Sequence, residues 1–367
     1  MAAVQKLFED CQNRFPGHGP VMSVVATLRE IADSLDGSEM PDIYGAGDYI
    51  EAFEAEVAAL FGKSAAVFMP SGTMAQQIAL RIWCDQSHNL TVAMHPTSHL
   101  EFAEHLGYQF LHNIRRLQFG GPEFLRDRLL TTEDFRQLGS RPGAVILELP
   151  ARPLGGQLPP WEDLVATCDW ARKQGIPIHL DGARIWQCQH FYQKSLAEIG
   201  ALFDSIYVSF YKDLGGLAGC MLLGSKTFVQ ESRVWQRRYG GNLFNQAANV
   251  ASARLGLQQR LPQMSAWVLR AQEIAERLSS FEQVIINPAC PQVNFFQLFI
   301  KGDPVVLAKR HHELAATTGT YLFHRLAPAA IPGFATTEMH IWENAAGCDL
   351  DCLVPFMSQL LDAEPRS

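Results

Sequence analysis

Two ionisable side chains stand where apolar runs end. Asp181 closes Ile178-His179-Leu180 and is followed by Gly182-Ala183-Arg184, while Lys212 closes Ser205-Ile206-Tyr207-Val208-Ser209-Phe210-Tyr211 and runs into Asp213-Leu214-Gly215-Gly216. If both runs are strands of one α/β sheet, both residues lie at carboxyl ends, where such sheets bind ligands. An aspartate there serves equally as a helix N-cap. The lysine has no comparable structural use, since lysine is almost never fully buried without a partner. Schiff-base chemistry supplies that partner. Pyridoxal-5'-phosphate (PLP) needs an amine for its aldehyde carbon, a carboxylate that keeps its pyridine nitrogen protonated, and a cradle for its phosphate. The cradle is offered by Phe68-Met69-Pro70-Ser71-Gly72-Thr73-Met74-Ala75, a strand, a turn and a helix start whose unpaired N–H groups and hydroxyls suit an anion. Ser71, Gly72 and Thr73 are expected to bind the cofactor with Asp181 and Lys212, and Ser209 to join them.

These residues need a scaffold to hold them. Residues 65–68, 91–94, 144–149, 177–180, 205–209 and 219–223 read as buried strands, and 72–83 and 161–173 as crossover helices, the second stopped by Gly175 and Pro177. Such alternation implies an α/β domain with a mostly parallel sheet. Beyond Gly256 the pattern becomes helix 266–278, strand 293–300, helix 304–317, strand 337–342 and a closing helix 349–362. That is the pattern of a smaller α+β domain. The expected organisation is an N-terminal arm (1–40), a large PLP-binding domain (41–255) and a small C-terminal domain (256–367), in keeping with roughly 100–200 residues per domain. Residues 120–141 read as a partly helical connection.

Composition narrows the function classes. The 47% hydrophobic and 19% charged content is that of a globular protein rather than a disordered one. With 38 acidic against 30 basic residues and no basic block, the footprint of a nucleic-acid binder is missing. No run reaches the ~18–20 apolar residues of a membrane helix, and residues 1–15 lack an apolar signal core. A cytoplasmic protein with no membrane partner is expected. The eight cysteines are dispersed, which favours reduced thiols. Cys348 and Cys352 could share a helix face, as could His95 and His99, but no further ligand accompanies either pair and no metal is expected. No Gly-x-Gly-x-x-Gly follows an early strand, which sets a nicotinamide dehydrogenase aside.

The segments resemble the threonine aldolase and β-eliminating lyase family of fold-type I PLP enzymes, from about residue 41 to the final strand. Asp42-Ile43-Tyr44-Gly45, Pro70-Ser71-Gly72-Thr73-Met74, Asp181-Gly182-Ala183-Arg184 and Lys212 after its strand carry the likeness. It implies an aspartate-aminotransferase-type, PLP-dependent transferase-like fold, with the Schiff base on Lys212, Asp181 on the pyridinium nitrogen and Arg184 on the substrate carboxylate. His99, in Thr97-Ser98-His99-Leu100, matches the histidine that stacks on the cofactor ring. The likeness also implies a homodimer or homotetramer, with Tyr44, Arg237 and Arg238 offered across a two-fold axis. Three departures concern the substrate side. Where the family reads Glu-Asn-Thr-His-Asn, this chain reads Glu148-Leu149-Pro150-Ala151-Arg152, so the histidine is lost and Arg152 brings a charge. A C-terminal strand carries His340 in place of an arginine, and imidazole cannot reproduce a bidentate guanidinium clamp. The segment from Arg237 and Arg238 to Phe244 lacks the family's later arginine.

The resemblance thus implies a PLP-dependent carbon–carbon lyase that cleaves a β-hydroxy-α-amino acid to glycine and an aldehyde. Arg184, Arg152, His340 and Tyr44 are the expected substrate-binding residues. Lys212, His99 and Asp181 are expected to take part in the chemistry. The base for the β-hydroxyl proton is open among His99, Glu101 and a water they hold. β-Elimination, racemisation or transamination on the same scaffold remains an alternative, as does a PLP-binding protein that has lost catalysis.

Overall fold

The structure, a computed structural model, describes residues 2–19, 21–119 and 127–362. The chain forms two compact units, the larger comprising Val25–Pro153 and Leu158–Pro262, the smaller Met1–Val24, Leu154–Gln157 and Gln263–Ser367.

The larger unit is built on a seven-stranded sheet. Its strands are β1 (Ala65–Met69), β2 (Thr91–Ala93), β3 (Arg115–Arg116), β4 (Ala144–Glu148), β5 (Ile178–Gly182), β6 (Ser205–Ser209) and β7 (Cys220–Gly224), in the order β1-β7-β6-β5-β4-β2-β3. β2 to β6 pair in parallel, and β7 runs antiparallel between β1 and β6. β5, β6 and β7 are buried at every position, which is why they read as continuous apolar runs rather than alternating ones. Helices α1 (Asp48–Leu60), α2 (Gly72–Gln86), α3 (Trp161–Lys173), α4 (Lys226–Arg238) and α5 (Ala247–Arg260) belong to the unit. Ala75, Ile78, Ala79 and Ile82 of α2 recur at helical spacing. They pack on Val67, Met69, Tyr207 and Leu222 of the sheet and Phe228 of α4. Truncating Ile78 in such a core costs on the order of 2–5 kcal/mol.

Beneath α2 a polar chain crosses this apolar layer. Trp83 Nε1–H donates to Ser205 Oγ at 2.7 Å, Ser205 Oγ lies 2.8 Å from His179 Nδ1, and His179 Nε2 lies 2.7 Å from Gln76 Oε1. His179 is fully buried, and burial pushes its pKa down to about 3. A buried imidazole with both nitrogens hydrogen-bonded is satisfied in its neutral form. It ties β5 to β6 two residues before Asp181, where His179 is in register with Ser205.

The smaller unit carries an antiparallel sheet of β8 (Val284–Asn287), β9 (Phe295–Lys301), β10 (Ala327–Pro328) and β11 (Phe334–His340), ordered β10-β11-β9-β8. Helices α6 (Met264–Leu278), α7 (Pro304–Thr318) and α8 (Leu353–Leu361) belong to it. Asp303 caps α7 by accepting the Val305 and Val306 N–H groups, with Pro304 at the first turn. Asn13–Arg14 pairs in parallel with Thr320–Tyr321, and Phe8 and Cys11 bury against Ala315 and Tyr321.

Several sequence expectations shift. The stretch read as an arm, 1–40, is divided, since residues up to Val24 pack into the smaller unit. The last strand runs Phe334–His340 rather than 337–342, and the closing helix begins at Leu353 after a tight turn at Leu350–Cys352. Cys348 ends a short helix before that turn, so Cys348 and Cys352 do not share an α-helical face. His95 lies outside the short helix that starts at His99. Of residues 120–141, 120–126 lie outside the described residues, and a capped helical turn occupies Thr132–Arg136.

Candidate active site

Parallel pairing brings the chemistry together. Asp181, near the end of β5, is in register with Glu148 at the end of β4 and with Tyr207 on β6. A pocket of about 280 Å³, counted with its mouth, is lined by His99, Glu148, Arg152, Asp181, Arg184 and Lys212. Asp181 is buried and accepts the Ala183 N–H at 3.2 Å. The Arg184 guanidinium donates to buried Asp213 at 3.0 Å, a contact that orders it. Burial holds the Lys212 ammonium below the usual lysine range, with Arg184 pushing the same way and Asp181 and Glu148 opposing. The neutral amine, the form that condenses with an aldehyde, is thereby favoured.

Two carboxylates that sequence reasoning did not assign complete the pocket's electrostatics. His99 Nδ1 lies 3.0 Å from Oε1 of Glu104, a buried acid whose pKa is raised by burial while His99 opposes. Glu148 is pushed up to about 7, by burial first and by the neighbouring Asp181 charge second. Its Oε1 accepts the Arg152 N–H at 3.3 Å, so the carboxyl faces the turn that follows β4. Glu148 is legible as a strand-end acid one strand over from Asp181. Glu104 sits in irregular backbone after His99, where no periodicity marks it. Glu101, the other acid near His99, is engaged by the Tyr108 hydroxyl and by Arg116 Nε at 3.3 Å and does not line this pocket.

The helix start at Gly72 has features that fit a phosphate. The side chain of Ser71 does not cap α2, so the first N–H groups face outward to an anion. A Cβ on Gly72 would come 2.1 Å from the Tyr207 hydroxyl, so only glycine admits this close approach. Ser209 Oγ is buried with no hydrogen-bond partner, unusual for a native polar group unless a ligand completes it. Thr73 is half-buried and Ser71 exposed. Together with Lys212 and Asp181 these residues fit PLP.

Tyr44 belongs to the larger unit and His340 to the smaller. Tyr44 is exposed in a turn, its N–H bonded to the Phe244 carbonyl and its ring edge-on to Phe244 at 5.4 Å. Buried Asp42 fixes that turn by accepting the Gly45 and Gln246 N–H groups. His340 belongs to the smaller unit, where its Nε2 lies 3.2 Å from Glu338 and its ring stacks on Trp342.

The sequence profile of the family described as Beta-eliminating lyase matches residues 36–300. A Listeria monocytogenes crystal structure, of a protein provisionally called an L-allo-threonine aldolase, is 37% identical and superposes with a TM-score of 0.92, covering 98% of this chain and 99% of that one. Aldolase vrtJ of Penicillium aethiopicum is 34% identical over 56% of this chain, which spans about half (53%) of that relative's length. The low specificity L-threonine aldolase of Saccharomyces cerevisiae is 26% identical over 77% of this chain and 74% of its own. By this similarity, which agrees with the geometry above, the chain belongs to the beta-eliminating lyase family of PLP-dependent, fold-type I enzymes.

Proposed function

We propose that this protein cleaves the Cα–Cβ bond of a β-hydroxy-α-amino acid, releasing glycine and an aldehyde. The observation that carries the reading is one pocket in which a desolvated lysine, a buried aspartate and a carboxyl titrating near neutrality converge. Similarity to threonine aldolases over most of the chain supports it. When bound, PLP supplies an electron sink for the bond that breaks. Lys212 holds the cofactor through its amine, Asp181 keeps the ring nitrogen protonated, and Ser71, Gly72, Thr73 and Ser209 receive the phosphate. His99, oriented by Glu104, would stack on the ring. Arg184, ordered by Asp213, binds the substrate carboxylate with Arg152 beside it. Glu148 accepts the β-hydroxyl proton as the aldehyde forms, its half-ionised carboxyl being suited to take and return a proton at neutral pH. Tyr44 and His340 are assigned to substrate binding in the assembled enzyme.

The protein acts as a cytoplasmic homodimer or homotetramer in this reading, supported by eight free cysteines and by the exposed Tyr44 and Phe244 rings. Among the described residues no helix is long and apolar enough to cross a membrane. The deciding experiment incubates PLP-loaded protein with β-hydroxy amino acids and identifies the products. Glycine plus aldehyde is expected. A keto acid plus ammonia would replace aldol cleavage with β-elimination. Borohydride should fix pyridoxyl mass on the Lys212 peptide, and labelling elsewhere would remove the assignment of the amine.

A further inference from the structure

Two phenols meet where β6 ends. Tyr207 is buried on β6, in register with Asp181, and its hydroxyl is the atom nearest to the Cβ that a side chain at Gly72 would carry, at 2.1 Å. That hydroxyl therefore lies against the first turn of α2. Ser209 follows two residues along the strand, on the same face, with its Oγ buried and unpaired. Phe210 turns the other way and packs on Phe53, Phe68 and Trp186. Tyr211 returns to the side of Tyr207. Its hydroxyl is hydrogen-bonded to that of Tyr207, and Lys212 Nζ lies 6.0 Å from its ring centroid.

The direction of that bond follows from its effect. It raises the Tyr207 pKa and lowers that of Tyr211, the pattern expected when Tyr207 donates and the Tyr211 oxygen accepts. Burial is the larger influence on both and raises both, so each phenol keeps its proton at neutral pH. A phenol has one hydrogen to donate. With that of Tyr207 directed at Tyr211, the Tyr211 O–H points to a third acceptor, and since Tyr211 is 39% exposed, that acceptor can be a bound molecule.

We propose that Tyr211 is a further cofactor ligand, donating its O–H to a phosphate oxygen of PLP, and that Tyr207 is the positioning residue that aims it. The proposal rests on the phosphate seat given above, at Ser71, Gly72, Thr73 and Ser209. It adds a donor from the β6 side to the N–H donors at the start of α2, so two elements hold the anion. A hydrogen bond to a charged group contributes roughly 10–100-fold in affinity.

The test measures dissociation constants of PLP and of pyridoxal, which lacks the phosphate, by cofactor fluorescence. It uses the full chain as wild type, Tyr211→Phe, Tyr207→Phe, the double variant and Ser209→Ala, with the phosphorus NMR shift of bound PLP as a second readout. Tyr211→Phe should weaken PLP by about tenfold or more, leave pyridoxal within about twofold, and move the phosphorus resonance. Tyr207→Phe keeps the ring and removes only the aiming hydroxyl, so it should weaken PLP by a smaller factor, about threefold, and add nothing once Tyr211 is replaced. Equal weakening of PLP and pyridoxal by Tyr211→Phe would make the ring a packing element and overturn the ligand role. Losses from the two phenylalanine variants that simply multiply would overturn the positioning role of Tyr207. Ser209→Ala separates the remaining failures. If it lowers the preference for PLP over pyridoxal while Tyr211→Phe does not, the seat stands and Tyr211 is excluded from it; if neither variant changes that preference, the seat itself is misplaced and the proposal falls with it.

Discussion

In the proposed reaction, Glu148 is the side chain on which the chemistry turns most directly. Asp181 from β5, His99 from the short helix after β2, Lys212 beyond β6 and the Arg152 N–H all face it, and its pKa of about 7 is the balance of burial and Asp181 against the other three. A base works when deprotonated, so kcat/KM should be level above about pH 7 and fall about tenfold per unit below it. Glu148→Gln should remove that acid limb and slow cleavage by roughly 10²–10⁴-fold. Asp181→Asn offers a second reading of the same pair. It removes one of the two causes that raise Glu148, so the residual activity should show its acid limb at lower pH, with kcat strongly reduced. A limb that stays near 7 in both variants would assign the titration to another group. The sequence made Asp181 and Lys212 legible because each ends an apolar strand. It did not single out Glu148 as a base, since an acid after Leu147 acquires meaning only when parallel pairing sets it beside Asp181.

At the scale of elements, the start of α2 is the feature with least latitude. The Tyr207 ring fills the space a side chain at position 72 would need, so Gly72→Ala must push the helix start away from β6. The expected result is a PLP dissociation constant raised at least tenfold, measured by cofactor fluorescence, with far-UV circular dichroism little changed. Tyr207→Phe removes the nearest atom but not the ring behind it, so rescue in the double variant should be partial. Full rescue, or no effect of the alanine, would show that this approach does not matter to the cofactor. Most strands and both crossover helices were legible, because uninterrupted apolar runs and helical spacing are local signals. The pairing of Asn13–Arg14 with Thr320–Tyr321 joins segments about 300 residues apart, and no local pattern announces it. The antiparallel direction of β7 is likewise a property of the turn after Lys212, not of its own five apolar residues.

For the whole molecule, assembly and resistance to acid are the testable consequences. Ile43, Tyr44, Leu243 and Phe244 form an exposed apolar cluster pinned by Asp42, and such clusters on a folded surface mark contacts with other chains. Phe244→Asp should convert the proposed oligomer to monomer in size-exclusion chromatography with light scattering, and an unchanged oligomeric mass would move the interface elsewhere. Acid acts through the imidazole caged between Ser205 and Gln76. His179 in the fold takes a proton only near pH 3, whereas in the unfolded chain it does so near its ordinary value of about 6.5. The unfolded state therefore binds the proton first, and the contribution of His179 to the larger unit's stability is complete above about pH 6.5 and declines by about 1.4 kcal/mol per unit from there towards pH 3. The base is lost at higher pH than the fold. Between the two lies a range in which the enzyme is switched off but still native, so protein held at pH 5.5 should regain full activity on return to pH 7.5, while protein held near pH 3.5 should show loss of near-UV ellipticity and incomplete recovery. Acid would in this way silence the enzyme reversibly before it damages it.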